Sequence, residues 1–419
     1  MTSRPSDIRI SDLANPEHTD LVKGMIEGAA AQPITLSVDA VLAAAAQEGA
    51  TFAWMDDAYR ERMGVILSAC AEDPGLSPLG RGLHFSYCVR YVVQRSRLEA
   101  LYREHPEIAE VEIRRPVIIA GLPRSGTTHM LNLVAVDDRW RSLRYWEAME
   151  PFPSAEEQAG DFAEDPRIER CRQQLTLQEQ VMPHFKSMHE MRLDHIEEEV
   201  FLQLFDFSTV LMDNYALSTK WRDYYLAMDP LPSYRFLKRA LEALQWMRGP
   251  ERWILKSPQH MERISTLVEV FPDATFVFPH RDPVSVATSM ITMMAYTARM
   301  SRDAVEPEKI AAYWADRIHR MLEACVRDCD KLPQDRTIHV PFHEFMTDDV
   351  AMIERIYATA GQPMTEDVRR KMANYAVDHP RGKHGRIVYD LKGDFGIDPS
   401  ELYERYAFYI ERFGVQREA

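Results

Sequence analysis

A chain of 419 residues with 46% apolar and 27% charged side chains is long enough for one large core or two smaller ones, and its composition excludes collagen, coiled coil and disordered tail. A formal charge of −15 opposes binding to nucleic acid or an anionic membrane, so any anionic ligand must be small and locally cradled. The longest apolar runs are about six residues, far below the roughly 20 that a membrane-spanning helix requires, and no transmembrane segment is expected. The polar N-terminus lacks an apolar stretch followed by a small-residue cleavage site, which predicts a cytoplasmic protein. Cys70, Cys88, Cys171, Cys325 and Cys329 form no C-x-x-C pair and are expected to be reduced and structural.

In chain order, the pattern from residue 7 to 110 is helical, with apolar residues three and four apart around 63–70 and 87–101. It predicts an N-terminal helical region, residues 1–110, packed on a core that occupies 111–419. At 116–121 the texture changes to Pro-Val-Ile-Ile-Ala-Gly, an apolar run closed by glycine that suits a strand buried on both faces in a parallel sheet. Similar runs return at 252–256 and 274–279, and more weakly at 337–340, with helical patterns between them. This alternation predicts an α/β fold: a P-loop-like parallel sheet flanked by helices. Residues 141–250, rich in Met, Phe, Tyr and Trp, read as a helical insertion in that core. Two amphipathic stretches at 348–360 and 364–378 then lead to a basic, glycine-containing segment and a last helix at 400–412.

The segment Gly121-Leu-Pro-Arg-Ser-Gly-Thr-Thr128 joins the first of these strands to a helix starting near Gly126, with Met130, Leu131, Leu133 and Val134 facing the core. Glycines in such a turn let backbone N–H groups converge on an oxyanion, and the helix start adds free N–H groups and positive potential. Against the Walker pattern G-x-x-x-x-G-K-[ST], Thr127 replaces the lysine, which removes the main cation of ATP hydrolysis. A cation stands instead at Arg124, with hydroxyls at Ser125, Thr127 and Thr128.

Arg124-Ser125-Gly126-Thr127-Thr128 resembles the [KR]-S-G-T-T loop of the sulfotransferases that use 3′-phosphoadenosine 5′-phosphosulfate (PAPS), more particularly their bacterial branch. The resemblance implies that these five residues bind the 5′-phosphosulfate, that PAPS is the co-substrate and that PAP is the product. It extends to Arg281, at a strand end, and Ser289, eight residues later in a helix opened by Pro283, which match the family's 3′-phosphate ligands. His379-Pro-Arg-Gly-Lys-His-Gly-Arg386 is similar to the family's basic R-K-G-x-x-G segment in a different residue order, and implies Arg381 and Lys383 as further 3′-phosphate ligands.

Sulfuryl transfer asks the protein to align nucleophile and leaving group and to neutralise the leaving oxygen; by analogy with phosphoryl transfer no metal is obligatory. In the family's cytosolic branch, a lysine and a histidine two residues later end the strand before the Arg…Ser pair. Here Lys256 occupies that place, 25 residues ahead of Arg281, but Pro258 stands where the histidine would be. Lys256 is therefore expected at the bridging oxygen of the phosphosulfate. His260 is expected as the base that takes the acceptor's proton, since a neutral imidazole titrates near working pH. Glu147 is the alternative base, and His129 is a further neighbour of the loop. His189, Glu190 and His195 miss the H-E-x-x-H spacing; on one helix the two histidines would lean to opposite faces, so no metal is assigned. The acidic run at 197–199 and the aromatic residues Phe201, Phe205, Tyr215, Trp221, Tyr224 and Trp246 are candidates either for an acceptor pocket or, at helical spacing, for core.

These patterns predict an enzyme that moves the sulfuryl group of PAPS to a hydroxyl of a small-molecule acceptor, with a mild preference for a hydrophobic alcohol or phenol. Two other readings remain open: a P-loop kinase or NTPase, and a sulfotransferase-fold protein that only binds nucleotide or sulfates transiently to eliminate water. Magnesium-dependent ATP turnover would mark the first, and a dehydrated product or no product the second.

Overall fold

Seven strands occur among residues 6–380 and 383–418, which the computed structural model describes: β1 (Asp7–Ile8), β2 (Val117–Ile119), β3 (Trp140–Arg141), β4 (Arg252–Lys256), β5 (Thr275–His280), β6 (Thr337–Pro341) and β7 (Arg386–Ile387). Five of them form one sheet in the order β3-β4-β2-β5-β6, with every neighbouring pair parallel. The apolar run at 116–121 supplies its middle strand. Val117 pairs with Ile254 on one side and with Thr275 on the other, so β2 has no free edge and is buried throughout. A strand covered on both faces needs apolar residues at consecutive positions, which is what Val-Ile-Ile provides.

Successive strand residues point to opposite faces, and this divides the apolar side chains into two cores. Ile118, Leu255, Phe276 and Phe278 enter the larger core, shared with Val41, Tyr59 and Val92 of the N-terminal helices and with Trp221, Leu237 and Leu241 of the 141–250 region. Val117, Ile119, Ile254 and Val277 enter the other. That second face is closed by the helix Thr127–Ala135, through Met130, Leu131, Leu133 and Val134, and by the helices Asp349–Ala360 and Glu366–Asp378.

Several elements differ from the sequence expectation. The 141–250 region is not wholly helical: it follows the edge strand β3, and it contains an irregular stretch after His189 and two 3-10 segments, Glu199–Asp206 and Val210–Asn214. The last helix is two, Pro399–Arg405 and Ala407–Phe413, separated at Tyr406. Strands β1 and β7 pair with each other in parallel. Two-residue strands carry no period, so only their partners reveal them.

Because the sheet is parallel, the carboxyl ends of β2, β4 and β5 lie at one edge, and with them the loop at 121–128, Lys256 and Arg281. Ligands of open α/β sheets bind at that edge, where consecutive strands leave a central strand in opposite directions; here β4 and β5 flank β2. All five cysteines are buried and unbridged; burial pushes the Cys70 thiol up to about 12, which keeps it inert. Among the described residues no helix is long and apolar enough to cross a membrane.

Candidate functional site

The loop after β2 is shaped by close approach. A Cβ on Gly121 would stand 2.6 Å from Pro279 Cγ, so only glycine lets this loop pass the end of β5. Gly126 caps the following helix with φ +83°, and Arg124 also adopts a left-handed φ of +67°. Such a conformation is unfavourable for a side chain as bulky as arginine, and three contacts hold it in place. The Arg124 carbonyl accepts from Arg281 at 2.5 Å, its Nε donates to Ser289 Oγ at 3.0 Å, and its NH1 donates to the Met188 carbonyl. Ser289 in turn donates to the Tyr389 hydroxyl at 2.9 Å. Ser125 turns inward and donates to the Leu122 carbonyl at 2.6 Å. The N–H groups of Gly126, Thr127 and Thr128 make no backbone hydrogen bond among the described residues, which leaves a row of donors at a helix start.

Lys256, at the end of β4, is buried and donates from Nζ to Thr128 Oγ1 at 3.3 Å and to Glu198. The structure thus brings together Arg124, Thr128, Lys256, Arg281 and Ser289, from three segments far apart in the chain. They border or adjoin a cavity of about 430 Å³, ordinary for a small-molecule site, whose lining includes Arg124, Thr127, Thr128, Lys186, Arg281 and Lys383. Four cations face this cavity against two carboxylates, Glu190 and Asp349, an excess of positive charge within an acidic protein. Lys383 also donates to the Asp378 carbonyl at 3.3 Å, and Arg381 lies outside the described residues. Arg281 is engaged by a carboxylate: its Nε and NH2 donate to Glu418 at 2.5 and 2.6 Å while its guanidinium lies over the Phe342 ring.

Both expected bases are buried and engaged by other side chains. His260 is fully buried, with Nε2 2.5 Å from Glu199 and Nδ1 2.9 Å from the Tyr234 hydroxyl. Pro258 diverts the chain after β4 into a 3-10 turn that carries this imidazole into the protein, where both nitrogens are used. Glu147 is buried in ion pairs with Arg141 at 2.5 Å and Arg248 at 2.9 Å, beside edge strand β3. His129 lines the cavity and is paired with Asp349 at 2.7 Å. Of the aromatic candidates, Phe205 and Trp221 are core, Phe201 and Tyr224 pack against it, and Trp246 is at the surface; Tyr215 lines a second cavity.

The acidic run at 197–199 has three distinct environments. Glu199 pairs with His260 and accepts the Lys256 backbone N–H at 2.6 Å, and Glu198 pairs with Lys256. Glu197 is buried with one oxygen accepting the Glu198 N–H at 3.0 Å and the other, Oε2, without a hydrogen bond. Burial, with the adjacent Glu198 charge adding to it and Lys256 opposing, pushes its pKa up to about 7. His189 and His195 are not on opposite helix faces, because the helix ends at His189; their rings lie 5.8 Å apart, and His189 Nε2 is 3.9 Å from Glu197. Burial holds His195 neutral, at about 4, with neither ring nitrogen hydrogen-bonded. Among the described residues no group of three or more His, Cys, Asp or Glu side chains is placed to hold a metal ion.

A model of the sulfotransferase family matches residues 116–367. The chain is 23% identical over 322 residues to the omega-hydroxy-beta-dihydromenaquinone-9 sulfotransferase Stf3 of Mycobacterium bovis, covering 72% of this chain and 76% of the relative. The crystal structure of sulfotransferase STF9 from Mycobacterium avium superposes with a TM-score of 0.81 at 25% identity, covering 93% of this chain and 99% of that one. Sulfotransferase STF1 from Mycobacterium tuberculosis H37Rv gives 0.76 at 25% identity, covering 89% and 98%.

Proposed function

The chain belongs to the sulfotransferase family and is an enzyme of that class, and from this we propose that it transfers the sulfuryl group of PAPS to a hydroxyl of a small apolar acceptor. One observation carries the donor assignment: Arg281 touches the backbone of the 124–128 loop, so a single doubly anionic nucleotide can span both clusters. In this reading the free N–H groups of Gly126, Thr127 and Thr128, the hydroxyls of Thr127 and Thr128, and Arg124 hold the 5′-phosphosulfate, while Ser125, expected as a ligand, spends its hydroxyl on the Leu122 carbonyl and shapes the turn. Arg281 and Ser289 hold the 3′-phosphate, with Lys383 and Arg381 contributing from the basic segment. Lys256 stabilises the charge that appears on the bridging oxygen as the sulfur–oxygen bond breaks. Glu197 Oε2 accepts the acceptor's hydroxyl proton as its oxygen bonds to sulfur; a carboxylate with a pKa of about 7 and a free lone pair suits that task better than a histidine whose two ring nitrogens are both engaged. The name of the Mycobacterium bovis relative, which describes a hydroxylated dihydromenaquinone as its substrate, supports an apolar acceptor.

Calorimetric titration with PAP, AMP and ATP tests the donor site. PAP is expected to bind at least about tenfold more tightly than AMP, the scale of a charge-assisted pair to one phosphate, and Arg281→Ala is expected to remove most of that difference. Equal affinities for PAP and AMP in the unmodified protein contradict the assignment. A stable sulfate ester in the product separates transfer from nucleotide binding alone and from elimination.

In the same reading Glu418 holds the position that the 3′-phosphate must take, so donor binding displaces it from Arg281. Glu418→Gln is expected to tighten PAP binding several-fold, since a neutral amide competes less well for a guanidinium, and to leave AMP affinity unchanged. Unaltered PAP affinity in this variant would place the phosphate elsewhere.

A further inference from the structure

Away from the transfer site, the helix Pro78–Glu104 carries a buried histidine whose ring bonds to nothing around it. His84 is 6% exposed, and neither ring nitrogen has a hydrogen-bond partner among the described residues. The ring lies flat on Tyr215, with centroids 4.3 Å apart, and stands 6.4 Å from the Tyr87 ring. The neighbouring Tyr215 carbonyl accepts from the Cys70 thiol at 3.7 Å and has no hydrogen-bond geometry toward the imidazole. Burial holds His84 neutral, at about 4, so it keeps one donor and one acceptor nitrogen. Buried polar groups are almost always hydrogen-bonded, because an unpaired one carries its full cost of desolvation.

A cavity of about 230 Å³ adjoins this ring, and His84 belongs to its lining together with Leu83, Tyr87, Met294, Met300 and Trp314. Other polar side chains of the same wall are already occupied. Asp213 is paired with Arg317 at 2.6 Å and Arg302 with Asp73 at 2.8 Å, and the Tyr215 hydroxyl is 2.5 Å from that of Tyr91. Thr297 and Ser301 donate to the Met294 and Ala298 carbonyls. The wall therefore presents apolar and aromatic surface, no unpaired charge, and a neutral imidazole in need of a partner. It shares no residue with the lining of the cavity that holds Arg124 and Arg281. The helix Pro283–Ala298 passes both: Ser289 meets Arg124, and Met294, Thr297 and Ala298 reach the apolar cavity about 8–14 Å further along its axis.

From this wall we infer a second small-molecule site, separate from the transfer cavity, that takes a neutral aromatic molecule bearing a hydroxyl. Its rings pack against Tyr87, Trp314 and the methionines, and its hydroxyl bonds to a ring nitrogen of His84. Aromatic faces and thioethers favour an aromatic guest. A carboxylate or ammonium would find no free counter-charge here, and a hydrocarbon would leave the imidazole unpaired. Since a cavity of about 150 Å³ accepts benzene, this larger one admits two fused rings.

The probes are 2-naphthol and 2-methylnaphthalene, alike in shape and differing in the hydroxyl, titrated by calorimetry against the full chain at neutral pH. The naphthol is expected to bind about tenfold more tightly, the scale of a buried polar group gaining its partner. His84→Phe, which keeps a ring on Tyr215 but has no nitrogen, removes the preference; His84→Gln, which keeps a donor and an acceptor, retains part of it. Neither variant alters PAP affinity, and saturating naphthol leaves it unchanged. Equal binding of the two probes to the unmodified chain overturns the proposal without recourse to a variant, and so does a preference that survives His84→Phe. Competition between naphthol and PAP, or sulfation of naphthol that is lost with His84→Phe, would join the cavity to the transfer site and overturn its separateness. The comparison of probes reads binding to a wall without donor ligands, so it stands even if the PAP titration contradicts the donor assignment.

Discussion

Glu197→Gln is expected to lower kcat by about 10²–10⁴-fold, the range that one positioned base contributes, while PAP affinity stays within about twofold. The amide keeps size and shape but cannot take a proton. The pH profile distinguishes this from a structural effect. In the unmodified enzyme kcat/KM rises with pH and levels off above about 7, because Glu197 must be deprotonated to act, and the variant loses that limb. Stability follows the opposite sign. The Glu197 pKa is raised in the folded chain from 4.5 to about 7, so its stabilising contribution is present while it is protonated and is lost as pH climbs through that interval. The variant is spared that loss, and its Tm should not fall, relative to the unmodified protein, on going from pH 5 to pH 8. A catalytic rate little changed by the substitution, with the pH limb retained, would remove Glu197 from the reaction.

Lys256→Met has the second large effect, a loss of about 10²–10³-fold in kcat, comparable to the removal of one pre-positioned donor from a developing negative charge. It carries an independent signature. Lys256 is the positive charge that lowers the Glu197 pKa, so without it the pH limb of the residual activity should move above 7. The substitution also leaves Glu198 without its buried partner, so Tm is expected to fall by several degrees. Lys256→Arg, which keeps the charge, should hold the limb near its original position even if the bulkier group slows transfer. Should the limb stay in place in Lys256→Met, the lysine and Glu197 do not share one site.

The two sites differ in how much of them a linear reading could reach. The strand–turn–helix proposed to hold the donor was legible because its requirements are local: a buried strand, a turn with glycine where a side chain would clash, and a helix start occupy consecutive residues. Arg281 and Ser289 were legible for the same reason, as a strand end and the helix that follows it. His260 shows the limit. Its distance in sequence from Lys256 suits a base, yet a single proline redirects the backbone and leaves the ring between Glu199 and Tyr234. The same holds for Glu197, since three adjacent glutamates look alike in sequence. Only packing decides which is sealed with a free oxygen, which pairs with Lys256 and which with His260.

By itself the sequence determined the α/β class, the central strand, the glycine-containing turn into the following helix, and the placing of Arg281 and Ser289 at a strand end and in the next helix, because each depends on backbone geometry and periodicity within about ten residues. The tertiary structure alone decided which of the three adjacent glutamates is buried with a free oxygen, and that Glu418 rests on Arg281. Those properties depend on burial and on partners brought from distant segments, and a side chain's hydration and field are set by what the fold places around it, not by its neighbours in the chain.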